Sequence, residues 1–299
     1  MPGFTSTTLV SLVVAAIERI DPDLGSEIPR PDPMVTGVTS DKDKATLLAD
    51  FVAKNGPASV LHIGQHLDLA EESPVLSVLT MSPDPSLLAE KWMRLERYHH
   101  SSHRTSIDPS RRHMWTCARK STTVPASLAE NLLIAGVLFG LLERLRAEDC
   151  RFRIEGQTVS ADSFENLELR GACAEFALLW SADQTSDHTH GPAAGNIADT
   201  LADLLAHDIG RSWRLKDAAK ELSFSERSLQ RHLQQSGRNF SSVLRRARMR
   251  EATQLLTYTD TSLAEIGYCC GYADQAHFHR DFQRVANMTP GTFRDVSRP

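Results

Sequence analysis

The chain has 299 residues, with 33 Lys+Arg against 38 Asp+Glu, 41% hydrophobic and 24% charged residues. These are the proportions of an ordinary folded protein of about two domains, which excludes wholesale disorder, collagen-like repeats and a membrane-protein composition. The net charge of −5 excludes a uniformly basic nucleic-acid coat, but not a basic domain joined to an acidic one.

Leu9 to Ile17 is a nine-residue, largely apolar run with no Lys or Arg before it and Glu18-Arg19 after it. A secretory signal wants a basic start and a membrane span wants about 20 apolar residues. The run therefore predicts a short buried helix over 7–20, stopped near Asp21-Pro22, in a cytoplasmic protein without membrane contact. Further helices are expected at 41–54, 85–98 and 126–147. The last places Leu128, Leu132, Leu133, Val137, Leu138, Leu141 and Leu142 on a wide apolar face, with Ser127 as a candidate N-cap behind Pro125. Residues 103–121 carry strand character on both sides of Asp108-Pro109-Ser110, which suggests a hairpin. Cys150–Ile154 and Glu175–Trp180 read as further strands, so 1–181 is expected to be an α+β domain.

Residues 182–195 are polar, carry Gly and Pro and have no periodicity, the marks of a linker. Asp187, His188 and His190 could be drawn as metal ligands, but no further ligand stands at helical or finger spacing, and the linker reading is preferred. The five cysteines, Cys117, Cys150, Cys173, Cys269 and Cys270, are scattered and contain no Cys-x-x-Cys. They read as free, reduced thiols, the adjacent Cys269 and Cys270 as buried ones. No cofactor or metal is expected.

From 196 onward everything reads helical, giving an all-α C-terminal domain over 196–299. Ile197, Leu201, Leu204 and Leu205 follow helical spacing, and Leu215–Leu222 is a short helix. Ser225, Asn239 and Asp274 are candidate caps, Ser262 with Glu265 forms a capping box, and Pro290 sits at the first position of the last helix. The charge also divides here. Residues 211–299 hold 15 Lys+Arg and 9 Asp+Glu, a net of +6, while 1–210 hold 18 and 29, a net of −11. Arginine dominates the basic segment, and arginine suits bidentate contact with phosphate and guanine.

Two stretches of this half resemble each other, Leu215–Leu233 and Leu263–Phe282. Each has a short helix, a turn with an aromatic residue (Phe224, Tyr272), and a second helix with two apolar anchors (Leu229 and Leu233, Phe278 and Phe282). Arg231 and Arg280 follow the first anchor by two residues in each copy. This is the helix-turn-helix unit, whose second helix can enter the DNA major groove. Gly271 suits a left-handed turn in the second unit, and Ser223 fills that slot in the first with more strain. A long helix over 240–256 could hold the units about one DNA turn apart, roughly 34 Å. Arg245, Arg246, Arg248 and Arg250 lie on it, where phosphate contact competes with salt bridging and plain solvation.

Residues 196–299 resemble the double helix-turn-helix DNA-binding domain of the AraC/XylS transcription regulators. The second unit carries the resemblance most fully, from Ser262 through Tyr268 to Gly271-Tyr272, Asp274-Gln275, Phe278, Arg280, Phe282, Met288-Thr289-Pro290 and Phe293-Arg294. The first matches at Ser225, Arg227, Leu229-Gln230-Arg231, Leu233, Phe240, Arg248 and Leu255-Leu256. Gly267 departs from a usual Ala, at roughly 1 kcal/mol in mid-helix, and Ala276 from a frequent polar residue, so the second unit is expected to bind less tightly. The N-terminal half is similar over a smaller share, through Leu61-His-Ile-Gly, Leu76–Leu79 and Leu87–Tyr98, to the effector domain of one subgroup of that family. That resemblance implies a domain that binds a small-molecule effector, forms a homodimer, or both. It also implies promoter DNA and RNA polymerase as partners.

The outward positions expected to contact bases are Arg227, Gln230 and Arg231 on the first recognition helix and Gln275, His279 and Arg280 on the second; for each the plain alternative is a solvated side chain or a phosphate contact. Tyr98, His99, His100, His103 and Arg104 could form a polar wall of an effector site, though a helix end and loop is the simpler reading. No catalytic residue is assigned. A DNA-repair methyl acceptor would need a reactive cysteine in a Pro-Cys-His-type context, and neither Trp-Thr-Cys117-Ala nor Gly-Ala-Cys173-Ala fits. The expected function is a sequence-specific transcription regulator, an activator responding to a small molecule. A ligand-independent regulator or repressor, and more distantly a nucleoid-type protein, are the alternatives.

Overall fold

A computed structural model describes residues 4–27, 38–70, 73–80, 82, 84–96, 102–121, 124–183 and 197–298. The chain divides into two compact units, one within residues 1–71 and 79–186 and the other within 72–78 and 187–298. The first unit mixes helices and sheet and the second is helical, which is the α+β and all-α division expected from the sequence.

The first unit begins with β1 (Phe4–Ser6), paired antiparallel with β2 (Val38–Ser40). Around this pair lie α1 (Thr7–Ile20), α2 (Pro22–Glu27) and α3 (Asp41–Asn55). A 3-10-type segment, Pro57–Ala70, is interrupted at His66, and α4 (Pro74–Thr80) and α5 (Pro85–Leu95) follow in the chain. The main sheet is antiparallel, with order β3-β4-β8-β6-β7. Its strands are β3 (His103–Arg111), β4 (Met114–Ser121), β6 (Arg151–Ile154), β7 (Gln157–Val159) and β8 (Glu175–Leu179). Between β4 and β6 run α6 (Leu128–Arg144) and the short β5 (Ala147–Glu148), which pairs with β9 (Ala182–Asp183).

Several boundaries differ from expectation. The hairpin turns at Arg112-His113, with Arg111 opposite Met114, while Asp108-Pro109-Ser110 becomes an irregularity within β3. The proline cannot donate to a ladder, so its place is an edge strand or bulge, and β3 is an edge strand. β9 occupies 182–183, inside the stretch read as linker, because those residues find strand partners in β5. Asp187, His188 and His190 lie outside the described residues, as do Tyr98, His99 and His100. His103 is buried, its Nε2 3.1 Å from the Val124 carbonyl, and Arg104 turns back to its neighbour's carbonyl at 2.7 Å. Strand alternation explains the first: His103, Thr105 and Ile107 share the inward face. His103 is therefore interior and not part of an exposed polar wall.

The interior of this unit is organised by α6. Every residue from Glu130 to Leu142 is buried, as befits a helix apolar all round. One side reaches the sheet through an aromatic relay: Phe139 of α6 meets Phe164 edge-on at 5.2 Å, and Phe164 meets Phe152 of β6 edge-on at 6.1 Å. The other side meets Pro57–Ala70 backbone to backbone. A Cβ on Gly64 or Gly136 would collide with the facing carbonyls of Gly136 and Leu61, and one on Gly140 with the carbonyl of Gly64.

A network of buried polar side chains is paired inside. Arg119 donates to Glu96 at 3.0 Å and to Asn131 at 3.2 Å, and Glu96 also accepts from the Thr105 hydroxyl at 2.7 Å. Lys44 reaches Glu130 at 3.1 Å, and Glu130 closes the capping box on Ser127. Such a network carries a cost of about 3–5 kcal/mol if one partner is removed. The glycine crossing is intolerant of side chains too. Gly136→Ala is expected to lower the denaturant stability of the full chain by about 3 kcal/mol, read by near-ultraviolet circular dichroism. An unchanged midpoint would show that the two segments separate at no cost.

Candidate nucleic-acid interface

The second unit contains α7 (Ile197–His207), α8 (Leu215–Glu221), α9 (Glu226–Gln235), α10 (Phe240–Tyr258), α11 (Leu263–Cys269), α12 (Gln275–Ala286) and α13 (Pro290–Ser297). Five of these helices, α9 to α13, start where the sequence supplies a cap, while α8 follows Arg214 without a side-chain cap bond. Ser225 accepts from Ser228 N, Asn239 from Ser242 N, Ser262 from Glu265 N, Asp274 from His277 N and Thr289 from Thr292 N. A cap of this kind is worth about 1 kcal/mol. Ser225 and Asp274 spend their side-chain oxygens on these bonds, consistent with capping and not base contact.

The two turns between short and long helices are built alike. In the first, Ser223 N donates to Lys220 O at 3.1 Å and Phe224 N to Ala219 O at 2.8 Å. In the second, Gly271 N donates to Tyr268 O at 2.9 Å and Tyr272 N to Gly267 O at 3.0 Å. Both have the paired bonds of a Schellman motif, which needs a left-handed residue at its corner. Ser223 has φ 59 and Gly271 φ 73, as the sequence comparison of the two units anticipated.

Recognition helices α9 and α12 are fixed from behind. Leu229 and Leu233 are fully buried in a core with Leu201, Leu205, Trp213 and Val243. Phe278 and Phe282 are fully buried 5.7 Å apart, and Phe282 meets Phe293 of α13 at 5.2 Å. Arg294 of α13 and Arg298 just beyond it donate to the carbonyls of Thr261 and Thr259, tying the helix to the segment that leaves α10.

Between the two helix-turn-helix units stands the 19-residue α10, about 28 Å long. Two of its arginines reach the second turn and its recognition helix. Arg248 lies over the Tyr272 ring at 5.3 Å, and Arg245 is 3.5 Å from Asp281 of α12. Asp281 also accepts from the Tyr272 hydroxyl at 3.1 Å and from Arg284 at 2.6 Å. Burial and the Asp281 carboxylate push the Tyr272 phenol well above its ordinary range, so it remains a donor. Arg246 is half-buried and engaged within the protein, while Arg250 is exposed. A direct contact reinforces the junction. A Cβ on Gly271 would lie 2.6 Å from Ile209 O, and one on Gly210 would lie 3.2 Å from Cys269 O. The segment after α7 thus rests on the second turn.

Of the six residues expected to face outward, Arg227, Gln230 and Arg231 on α9 and Gln275 and Arg280 on α12 are exposed. His279 is only half-exposed, and its Nε2 is enclosed without a hydrogen-bond partner. At 100° per residue it sits beside the Phe278–Phe282 stripe. Two residues were overlooked: Gln234 and Gln283 are exposed at equivalent places on the two helices. The signal was available, since each lies seven residues beyond the second helix position, on the same face. Cys269 is also exposed while Cys270 is buried, because the inward face of this short helix runs through Ile266, Gly267 and Cys270 and Cys269 falls outside it.

The helix-turn-helix domain family matches residues 218–295. Residues 218–295 are therefore a helix-turn-helix domain. The urease operon transcriptional activator of Escherichia coli is 36% identical over 98 residues, 33% of this chain and 33% of that protein. The ornithine utilization regulator of Pseudomonas aeruginosa is 40% identical over 82 residues, 27% of this chain and 24% of that protein. These matches therefore span a third or less of the relatives' own lengths. Among solved structures, a Chromobacterium violaceum transcriptional regulator described as containing an AraC-type DNA-binding domain is 27% identical, covering 34% of this chain and 91% of that chain, with a TM-score of 0.32.

The two turns give a paired stability test. A left-handed non-glycine residue costs about 1–2 kcal/mol, against about 0.5–1 kcal/mol for glycine's extra freedom in the unfolded chain. Ser223→Gly is expected to stabilise the full chain by up to about 1 kcal/mol. Gly271→Ala, which adds a clash with Ile209 O, is expected to destabilise it by about 2 kcal/mol. Thermal unfolding measures both, and equal effects at the two sites would contradict the difference in packing.

Proposed function

We propose that this chain is a sequence-specific transcription regulator that binds promoter DNA in the major groove through α9 and α12. The observation that carries the reading is the pair of matching helix-turn-helix units, each presenting polar residues outward from two buried apolar anchors. Arg227, Gln230, Arg231, Gln275 and Arg280 are the base-contacting residues in this reading. Arginine pairs with guanine and glutamine with adenine. His279 contributes through the packing of α12, its ring being half-enclosed.

The expected mode is activation through contact with RNA polymerase, supported by the word activator in the relative's name. The α+β unit serves as the effector-binding or dimerising part. A cytoplasmic location agrees with these partners, and no helix among the described residues is long and apolar enough to cross a membrane. The chain is read as a non-enzyme. The methyl-acceptor alternative needs an ionised thiol, whereas Cys117 and Cys150 are pushed up to about 12 by burial.

The test is selection of genomic fragments by the purified full chain at near-physiological salt, followed by footprinting. A discrete site of about two helical turns is expected, with Arg227→Ala and Gln275→Ala each weakening binding by about 1–3 kcal/mol. Recovery of random fragments, unaffected by either change, would overturn the reading in favour of a nucleoid-type role.

A further inference from the structure

The main sheet of the first unit buries one face and leaves the other open. Ile107, Trp115, Cys117, Phe152, Phe176 and Leu178 are buried, and the residues that alternate with them point the other way. On that outer face Thr116 of β4 pairs with Ala177 of β8, and Ala177 with Arg153 of β6. The next row is Met114, Leu179 and Arg151. Arg111 stands opposite Met114 at the turn, and Arg104 opposite Lys120 at the far end of the hairpin. Directly paired residues share a side of the sheet, so five cations rim a centre of small side chains. The carboxylates on this face are Asp108, which accepts from Ser110 N at 2.9 Å, and Glu175. Arg151 is paired with Asp149 at 3.1 Å, and Arg153 donates to the Thr158 hydroxyl at 3.1 Å. Arg111 and Lys120 are exposed and make no hydrogen bond or ion pair among the described residues. Five cations against Asp108, Glu175 and Asp149 leave +2, on a stretch of chain, 1–210, whose net charge is −11.

We propose that this open sheet face is a second, sequence-independent DNA contact, in which Arg111 and Lys120 meet backbone phosphates beside the site read by α9 and α12. The inference rests on the DNA-binding reading above. Charge complementarity selects the occupant. A second copy laid face to face across a two-fold axis would set cations against cations, and an apolar partner would leave the charged rim desolvated without a counter-charge. A duplex supplies a dense row of phosphates and no apolar demand. The two units are one chain, so DNA bound by the second raises the local phosphate concentration at the first. The acidic remainder of the first unit is repelled by the same duplex, which turns the basic face toward it. From Met114 to Lys120 the strand rises about 20 Å, about six base-pair steps at 3.4 Å each. Arg111 and Lys120 can therefore reach phosphates well separated along the duplex. The small side chains between them let the backbone approach the sheet.

The experiment measures the affinity of the full chain for duplex DNA against salt concentration. Three duplexes serve as probes: a recovered genomic fragment trimmed to its footprint, the same fragment with several helical turns of flank, and a random sequence of the longer length. The proteins are the natural sequence, the double variant Arg111→Ala with Lys120→Ala, and Arg170→Ala. Arg170 is an exposed cation outside the strands of the sheet, so it controls for diffuse charge. All three positions are exposed, so the variants fold as the parent does, which near-ultraviolet circular dichroism checks. On both longer duplexes the double variant is expected to flatten the plot of log affinity against log salt by about 2, at about 0.9 per phosphate contact. On the trimmed duplex its slope and the selected motif are expected to match the parent's, and Arg170→Ala is expected to change nothing. An unchanged slope in the double variant on the longer duplexes overturns the proposal, as does an equal loss in Arg170→Ala. A double variant that alters the sedimentation of the free protein while keeping the slope assigns the face to contact between copies instead. Slopes that respond as expected while no motif is selected overturn the sequence-specific reading and leave the phosphate contact standing. Binding to none of the duplexes overturns both.

Discussion

The contact on which the second unit depends is the approach of Ile209 O to the bare Cα of Gly271. A connector helix by itself would fix the separation of two helix-turn-helix units while leaving their rotation to the bending of its ends. Here the segment after α7 lies against the turn of the other unit, and Arg248 and Arg245 reach from the middle of α10 to Tyr272 and Asp281. The second turn is thereby held from two directions. Glycine is required there for two separate reasons: its φ of 73 and the carbonyl that a side chain would meet. The corresponding Ser223 is exposed and meets only the first requirement, which is why a residue with a side chain persists in one turn and not the other.

Once the turns are set, the direction of each recognition helix follows from hydrophobic burial. Leu229 with Leu233, and Phe278 with Phe282, sit four residues apart and point one face inward. Burying each such side chain contributes about 1.5–3 kcal/mol, more than the roughly 1 kcal/mol typical of a cap. The outward face is what remains, and its residues carry little of the fold. This separation is what allows chemistry to differ between α9 and α12 at constant geometry.

Legibility from sequence follows the same division. Caps, paired anchors and the two left-handed corners are local, so Ser225, Asp274, Ser262 with Glu265, Ser223 and Gly271 could be placed by spacing alone. Outward faces followed from the 3.6-residue period, and Gln234 and Gln283 were missed only because it was not extended a second turn. Long-range partners were not legible. Nothing near Arg245 announces Asp281, and nothing near Gly64 announces Gly136. The N-terminal hairpin shows the competing case: Asp108-Pro109-Ser110 has the chemistry of a turn, but the register that buries Ile107, Trp115 and Cys117 on one face puts the turn at Arg112-His113.

Gly267 shows how a residue costly in isolation fits its surroundings. In mid-helix it sacrifices roughly 1 kcal/mol against alanine, which on sequence grounds marks the second unit as the weaker. In the folded chain, however, a Cβ at that position would lie 3.2 Å from the Phe278 Cβ, closer than comfortable packing. The glycine allows α11 to settle onto the α12 anchor, and Phe278 in turn fills the space against Tyr272 and Phe282. The helix penalty is thus offset by tighter contact with a large aromatic residue. Any difference in strength between the two units is more reasonably sought at the surface, where Ala276 stands at the helix position that Arg227 holds in α9, than in the stability of the second core.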